Sequence, residues 1–289
     1  MGLQFEKWHG TGNDFILVSY KVVSEFTSDI GKLSTRMCDR HFGVGADGLI
    51  TVGKSDKAKF KVRMWNPDGS ESGMCGNGLR CVGAQLLHNG IVDSSEALLI
   101  ETGKGIVTLD FPDPPEWVEE HEYWVRVDLG EPILKAKEIP LRADLPSPVV
   151  NMPLRVKGIE TDLSFTAVGM GNPHAVVFVE DVDSVPLAEW GPLIEGWDEI
   201  FPERVNVEFV QVINREHVKM RVWERGAGAT LSCGSGTAAV QVACHLTGRG
   251  SERLRVDVPG GKLLTEYTSD GRVMLSGPAV RVFSGEWFL

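Results

Sequence analysis

Two cysteines, each followed at once by Gly-x-Gly, are the residues of this chain best suited to chemistry: Cys75 in "MCGNG" and Cys233 in "SCGSG". A thiol ionises more readily at the first turn of a helix, where unpaired backbone N–H groups and a partial positive charge favour anions. The glycines flanking Asn77 and Ser235 remove the Cβ atoms that would hold a ligand off those amides. Each motif therefore offers a candidate acid/base beside a seat for a carboxylate, and a pre-organised donor to a developing oxyanion is worth roughly 3 to 4 kcal/mol. One such thiol would serve a hydrolase. Two in equivalent settings suit inversion of a stereocentre, one thiolate removing the α-proton while the opposite thiol supplies another.

The other three cysteines, Cys38, Cys81 and Cys244, are irregularly spaced and read as small buried hydrophobes. Five thiols with no export signal argue against a disulfide framework, and without a C-x-x-C pair no metal site is expected.

The elements that must position the two cysteines come in two copies. "KVRMW" ends at Trp65 and "KMRVW" at Trp223, each ten residues before its cysteine, and Cys233 follows Cys75 at an offset of 158. "GTGNDF" answers "GMGNPH", with Asn13 and Asn172 offset by 159; Phe42 with Phe201 and Asp47 with Asn206 share that offset, and Gly103 with Gly260 follows at 157. Equal order and near-equal spacing argue for a duplicated domain rather than a short-period solenoid. The Pro-rich, acidic "DFPDPPEWVEEHEYW" suits a join near residue 120. The tail "GPAVRVFSGEWFL" finds no slot in the second copy and is assigned back to the first. The expected domains are 1–120 plus 277–289, and 121–276.

"FKVRMW" and "VKMRVW" alternate apolar and polar residues and predict strands. After each cysteine the period changes. Leu79, Val82, Gly83, Leu86 and Leu87 share a helical face that stops at Asn89-Gly90, and the run from Ala238 to Leu246 is apolar nearly all round, ending at Gly248. These patterns predict an α+β fold: two pseudo-symmetric domains, each a curled antiparallel, barrel-like sheet around a central helix. Two such domains commonly pack about an approximate two-fold axis, which would bring Cys75 and Cys233 to opposite sides of one cleft.

At 289 residues, 31.6 kDa, with 42% apolar residues and mean hydropathy −0.07, the chain is long enough for two domains with buried cores. A formal charge of −11 and a pI near 5.2 offer no field to a phosphate backbone, so nucleic acid is excluded as a partner. No apolar run is long enough for a bilayer span, and the N-terminus lacks a signal-peptide pattern, so neither membrane nor export is expected and the cytoplasm is.

"HGTGNDF", "WNPDGSESGMCGNGLRC", "GMGNPH", "FPERVNVEF" and "WERGAGATLSCGSGT" resemble, in order, the signature blocks of the diaminopimelate epimerase family. The resemblance implies a cofactor-independent interconversion of LL- and meso-diaminopimelate on the route to lysine, with Cys75 and Cys233 as the acid/base pair. By the same resemblance the amides of Gly76, Asn77, Gly234 and Ser235 hold the reacting carboxylate. Asn13, Asn66, Asn172, Asn206, Glu224 and Arg225 line the site and grip the far end of a diamino dicarboxylate substrate. Asn66-Pro67 in one copy faces Glu224-Arg225 in the other, an asymmetry that lets a site tell two ends of a bis-amino acid apart. Arg225 suits a bidentate grip on the distal carboxylate; Glu224 is assigned to an ammonium or to tuning Cys233, and His174, opposite Phe15, to assisting Cys75. Gly48 and Ala229 depart from the family's glutamine and glutamate.

Each residue also has an ordinary reading: Trp65 and Trp223 as packing, His174 as a loop hydrogen-bonder, Glu224-Arg225 as a solvated pair. Two other functions remain open: a proline or hydroxyproline racemase of the same two-thiol logic, and a thiol redox or amino-acid-binding protein without catalysis, against which the lack of C-x-x-C counts. The oligomeric state stays open, a homodimer included.

Overall fold

The computed structural model describes residues 2–142 and 144–288 and divides into two compact units. Unit 1 runs to Asp128 and resumes at Ser276; unit 2 is Leu129–Leu275.

In unit 1 the chain forms β1 (Leu3–Gly10), β2 (Asn13–Ser19), α1 (Tyr20–Phe26), α2 (Ile30–Cys38), β3 (Gly48–Gly53), β4 (Phe60–Trp65), β5 (Glu71–Ser72), α3 (Gly76–His88), β6 (Leu98–Thr102), β7 (Gly105–Asp110) and β8 (Tyr123–Asp128). β8 pairs with β7 through Leu109↔Val127 and Asp110↔Arg126. The Pro-rich stretch expected as the join is thus a connection inside unit 1, and the division falls after Asp128. Unit 2 repeats the order with β9 (Met152–Leu154), β10 (Leu163–Gly169), β11 (Pro173–Val179), α4 (Leu187–Glu195), β12 (Asn206–Asn214), β13 (His217–Glu224), β14 (Gly228–Thr230), α5 (Gly234–Leu246), β15 (Arg253–Val258) and β16 (Gly261–Tyr267). The last strand, β17 (Val273–Trp287), begins in unit 2 and continues into unit 1, where it pairs antiparallel with β1 from Leu3↔Trp287 to His9↔Val280.

The sheets are curled around α3 and α5, and most neighbours run antiparallel. Among the described residues, parallel pairs also occur, β2–β3 and β4–β6 in the first unit, β11–β12 and β13–β15 in the second, which the antiparallel expectation did not contain. A parallel pair needs a crossover connection, and helices supply it: α1 and α2 lie between β2 and β3, α4 between β11 and β12. The sheet is therefore covered on both faces. Ile16, Val18 and Leu49 pack with Leu33 and Met37 of α2, while Gly78 of α3 approaches Ile50 and Met64 from the opposite side. In unit 2 Val176 joins the α5 core, whereas its neighbours Ala175 and Val177 join a second core with Leu187 and Ile194 of α4. Strands buried on both faces read as unbroken apolar runs, as "FILV" and "AVVFV" do.

Strand register refines the correspondence between the copies. Phe15 pairs with Gly48 as His174 pairs with Asn206, so the counterpart of Asn206 is Gly48 and not Asp47. The β6–β7 hairpin closes on Thr102↔Gly105 and β15–β16 on Val258↔Gly261, which matches Gly105 with Gly261 and displaces the Gly103–Gly260 match. Phe42 and Phe201 share spacing but not environment, the first 88% exposed and the second 1%. Among the described residues no helix is long and apolar enough to cross a membrane.

Candidate active site

Each cysteine caps its helix. Cys75 and Cys233 have extended backbones, with φ −139° and −123°, and their carbonyls accept the first intrahelical bonds from Leu79 and Thr237 at 2.9 Å. α3 and α5 are each 13 residues long and start one residue after the cysteine, so the first amides of both helices fall at the Gly-x-Gly segments. Gly76, Asn77 and Gly234 are buried and Ser235 is half-buried. At the far ends the glycines that follow, Gly90 and Gly248, take the left-handed backbone that stops each helix, φ 64° and 68°.

In unit 1 the half-buried Cys75 donates its Sγ–H to Asn13 Oδ1 at 3.7 Å, and Asn77 Nδ2 donates to the same oxygen at 3.3 Å. The other end of the Asn13 amide is tied down as Nδ2 donates to Asp47 Oδ2 at 2.8 Å. Asp47 and Asp14 are clamped by Arg40, whose Nη2 lies 2.8 Å from each, and Asp14 also meets the buried Lys7 at 2.7 Å. Burial pushes the Asp14 carboxyl up, but the Arg40 and Lys7 hydrogen bonds and charges outweigh it and hold the group at about 2. Asn66 is exposed at the end of β4, where its amide donates to Ser70 Oγ at 2.9 Å.

The unit 2 site is more enclosed and more acidic. Cys233 is 5% exposed; its Sγ accepts from Gly236 N–H at 3.4 Å and lies 3.5 Å from Ser235 Oγ. Glu224 accepts from the Thr230 hydroxyl at 2.5 Å and from the Cys233 thiol. Burial raises the Glu224 carboxyl above its usual value. Burial, then the nearby Glu224 and Glu208 charges, push the Cys233 thiol well above its own. His174 is fully buried, with Nδ1 2.7 Å from Glu208 Oε1 and Nε2 3.0 Å from Asn172 Oδ1. Asn206 is buried and its amide serves the backbone, donating to Pro173 O and accepting from Arg225 N, both at 2.9 Å. The Arg225 side chain is exposed, with one N–H donated to Glu203 O at 3.0 Å.

Two residues absent from the sequence reading belong to these settings. Glu208 is completely buried between His174 and Gly236; its signal was a lone carboxylate inside the otherwise apolar "VEFV". Arg80 is completely buried on α3 beside Asn77, a lone cation on the buried start of a helix. No group of three or more His, Cys, Asp or Glu among the described residues is arranged to hold a metal ion.

The model of the diaminopimelate epimerase family matches residues 5–135 and 166–282. Diaminopimelate epimerase of Pelotomaculum thermopropionicum is 46% identical over 286 residues, and that of Moorella thermoacetica 45% over 288, each alignment covering 99% of both chains. Among solved structures, a phenazine biosynthesis protein of the PhzF family from Bacillus anthracis aligns with a TM-score of 0.71 at 16% identity over 100% of both chains. A hydroxyproline epimerase from Agrobacterium vitis aligns with a TM-score of 0.69 at 15% identity, over 98% of this chain and 90% of the other. The two structural likenesses carry the fold; the two full-length sequence relatives and the family model carry more. On them, the chain belongs to the diaminopimelate epimerase family of isomerases.

Proposed function

We propose that this protein interconverts LL- and meso-diaminopimelate without a cofactor, as a cytoplasmic step toward lysine, by a two-base mechanism in which Cys75 and Cys233 act on opposite faces of one α-carbon. The observation that carries the reading is the duplicated setting: two thiols, each capping a helix whose first amides are framed by glycine. One thiolate takes the α-proton, and the electron pair left on carbon delocalises into the carboxylate, whose oxygens accept from the amides of Gly76, Asn77, Gly234 and Ser235. The opposite thiol delivers its proton to the other face, leaving the pair with its protonation exchanged.

The distal end of the substrate falls to Arg225, whose exposed guanidinium keeps donors beyond its one bond to Glu203. Asn13, Asn66 and Asn172 present amides to the polar groups of the substrate, while Asn206 acts through the backbone turn carrying Arg225. Glu224 holds the Cys233 proton. His174, expected beside Cys75, makes its contacts to Glu208 and Asn172, and we assign it to orienting Glu208, which lies against Gly236 of the Cys233 motif.

The test follows the α-proton in deuterated water. LL-diaminopimelate should invert and gain one deuterium at the inverted centre, and proline should not exchange. Cys75→Ser and Cys233→Ser should each lower kcat by about 10²-fold or more, the scale of a positioned acid or base. Full inversion by either variant, or faster exchange with proline, refutes the reading.

A further inference from the structure

Glu195 is the last residue of α4 and is 8% exposed, so a carboxylate is buried at the end of a helix, where the partial negative charge of the backbone opposes it. The helix gains nothing from a charge of that sign. Its partners lie instead on the two loops beside Arg225. Oε1 accepts from Gly226 N–H at 3.0 Å and from Arg204 Nη1 at 3.3 Å, while Oε2 accepts from Trp223 Nε1 at 2.7 Å. Trp223 and Gly226 bracket the Glu224-Arg225 pair, so both ends of that short turn hang from one carboxylate.

The turn has little else to fix it. Gly226 and Gly228 take left-handed backbones, φ 77° and 79°, and Ala227 N–H donates to Glu224 O at 3.1 Å. Arg225 is exposed, with its own N–H donated to Asn206 Oδ1 and its guanidinium to Glu203 O. The loop that offers Glu203 O is itself strained: Arg204 has φ 62°, costly for a residue with a side chain, and that side chain returns to Glu195. α4 is seated directly on the turn, since a Cβ on Gly191 would stand 2.5 Å from Trp223 Cγ. In unit 1 the outer helix α2 reaches the equivalent turn by other chemistry, Ser34 Oγ donating to Asn66 O at 2.9 Å and Trp65 O at 3.3 Å.

We propose that Glu195 is a positioning residue for substrate binding, a carboxylate that clamps the 223–226 turn to the 203–204 loop and so holds the Arg225 guanidinium where it meets the distal carboxylate of the substrate. The proposal rests on the assignment of Arg225 to that carboxylate and deepens it. Glu224, the other residue of the turn, is held independently by its register with Gly228 and by the Thr230 hydroxyl, so loosening the clamp acts on Arg225 first. A grip on the far end of the substrate is the same before and during proton transfer. Its loss raises KM and leaves kcat nearly in place.

The experiment combines kinetics with amide hydrogen exchange read residue by residue on the full chain. In the wild type, Gly226 N–H should exchange at least about tenfold more slowly than an unprotected glycine amide despite its exposure, an expectation that needs no variant. Glu195→Gln turns one acceptor oxygen into a donor facing donors. It should raise KM for LL-diaminopimelate about tenfold with kcat within about twofold, and speed exchange at Gly226 while the β12 amides keep their protection. Arg225→Met should raise KM on its own, and adding Glu195→Gln to it should raise KM no further, because both act through one guanidinium. Unprotected exchange at Gly226 in the wild type overturns the inference. So does a folded Glu195→Gln protein with wild-type KM, or a Glu195→Gln penalty that persists in full beside Arg225→Met. An unchanged KM in Arg225→Met would instead strike the assignment of Arg225 to the distal carboxylate, and this use of Glu195 with it.

Discussion

Glu224 sits where a carboxylate is penalised by burial yet useful to a neighbouring thiol, and the penalty has a measurable sign. Its carboxyl is raised in the folded state, so the stability it contributes is present below the ordinary carboxylate value and is lost as the pH rises through the folded value. Above that, the fold carries a half-buried charge beside Glu208, whose Oε2 has no hydrogen-bond partner. Glu224→Gln, neutral at every pH and still able to accept from Thr230, should match the wild type in urea midpoint at pH 4, meet or exceed it at pH 8, and lose turnover. A lower midpoint for the variant at pH 8 would show that the Glu224 charge stabilises the fold, against this expectation. At this scale the legible residues were those whose partners lie close by in sequence: each cysteine caps the helix that its own Gly-x-Gly begins. Arg80 and Glu208 escaped because their meaning lies in Thr11, 69 positions away, and His174, 34 positions away. A buried charge shows itself only once its surroundings are known.

The same slot beneath the two helices is filled by different chemistry, and two glycines report it. A Cβ on Gly78 would meet Ile50 Cδ1 at 2.9 Å and Met64 Cε at 3.3 Å, both ends of flexible apolar side chains. A Cβ on Gly236 would meet Glu208 Oε1 at 2.6 Å, an atom tied to His174. Replacing a helical glycine by alanine gains about 1 kcal/mol of propensity, and overpacking a fixed neighbour costs about 1 to 3. Gly78→Ala should therefore leave the urea midpoint nearly unchanged, whereas Gly236→Ala should destabilise by up to about 2 kcal/mol and displace Glu208. Equal effects at both positions would mean that the carboxylate moves as freely as the isoleucine. The central helices were legible because apolar spacing and terminal glycines mark them. The outer helices α2 and α4 were not read, although Leu33 and Met37 stand four apart behind the Asp29 N-cap, whose side chain accepts from Lys32 N–H at 3.0 Å. Missing them hid the parallel pairs, since strands separated by a helical crossover are the ones able to run side by side in the same direction.

Duplication is legible over most of each half because helices and strands of equal length keep a near-constant offset. Where connecting loops gain or lose a residue, matching by residue type slips by one or two places, as at Asp47 and Gly103, and only the hydrogen-bonded register restores it. The copies are alike in backbone and opposite in buried charge: Arg80 has its match in Ala238, and Glu208 pairs in register as Ile50 does. They also share one strand, which makes the C-terminus a structural part of the first unit. Residues Val280 to Trp287 of β17 supply the antiparallel partner for Leu3 to His9 of β1, where Leu3 and Trp8 are fully buried and Phe5 nearly so. Removing residues 280–289 keeps Val273–Leu275 in unit 2 and turns β1 into an edge with its apolar side chains uncovered. Losing that ladder and its side-chain contacts should cost unit 1 several kcal/mol, a fall of roughly 10 °C or more in its midpoint, while unit 2 keeps its own. Calorimetry should then resolve two transitions in the truncated chain, with turnover lost through the first, and aggregation on heating should rise with protein concentration through the bare β1 edge. A single transition at the wild-type temperature would mean that β1 is held by β2 alone, through the pairing from Glu6↔Leu17 to Gly10↔Asn13, and that the returning strand adds nothing to the fold of the unit it completes.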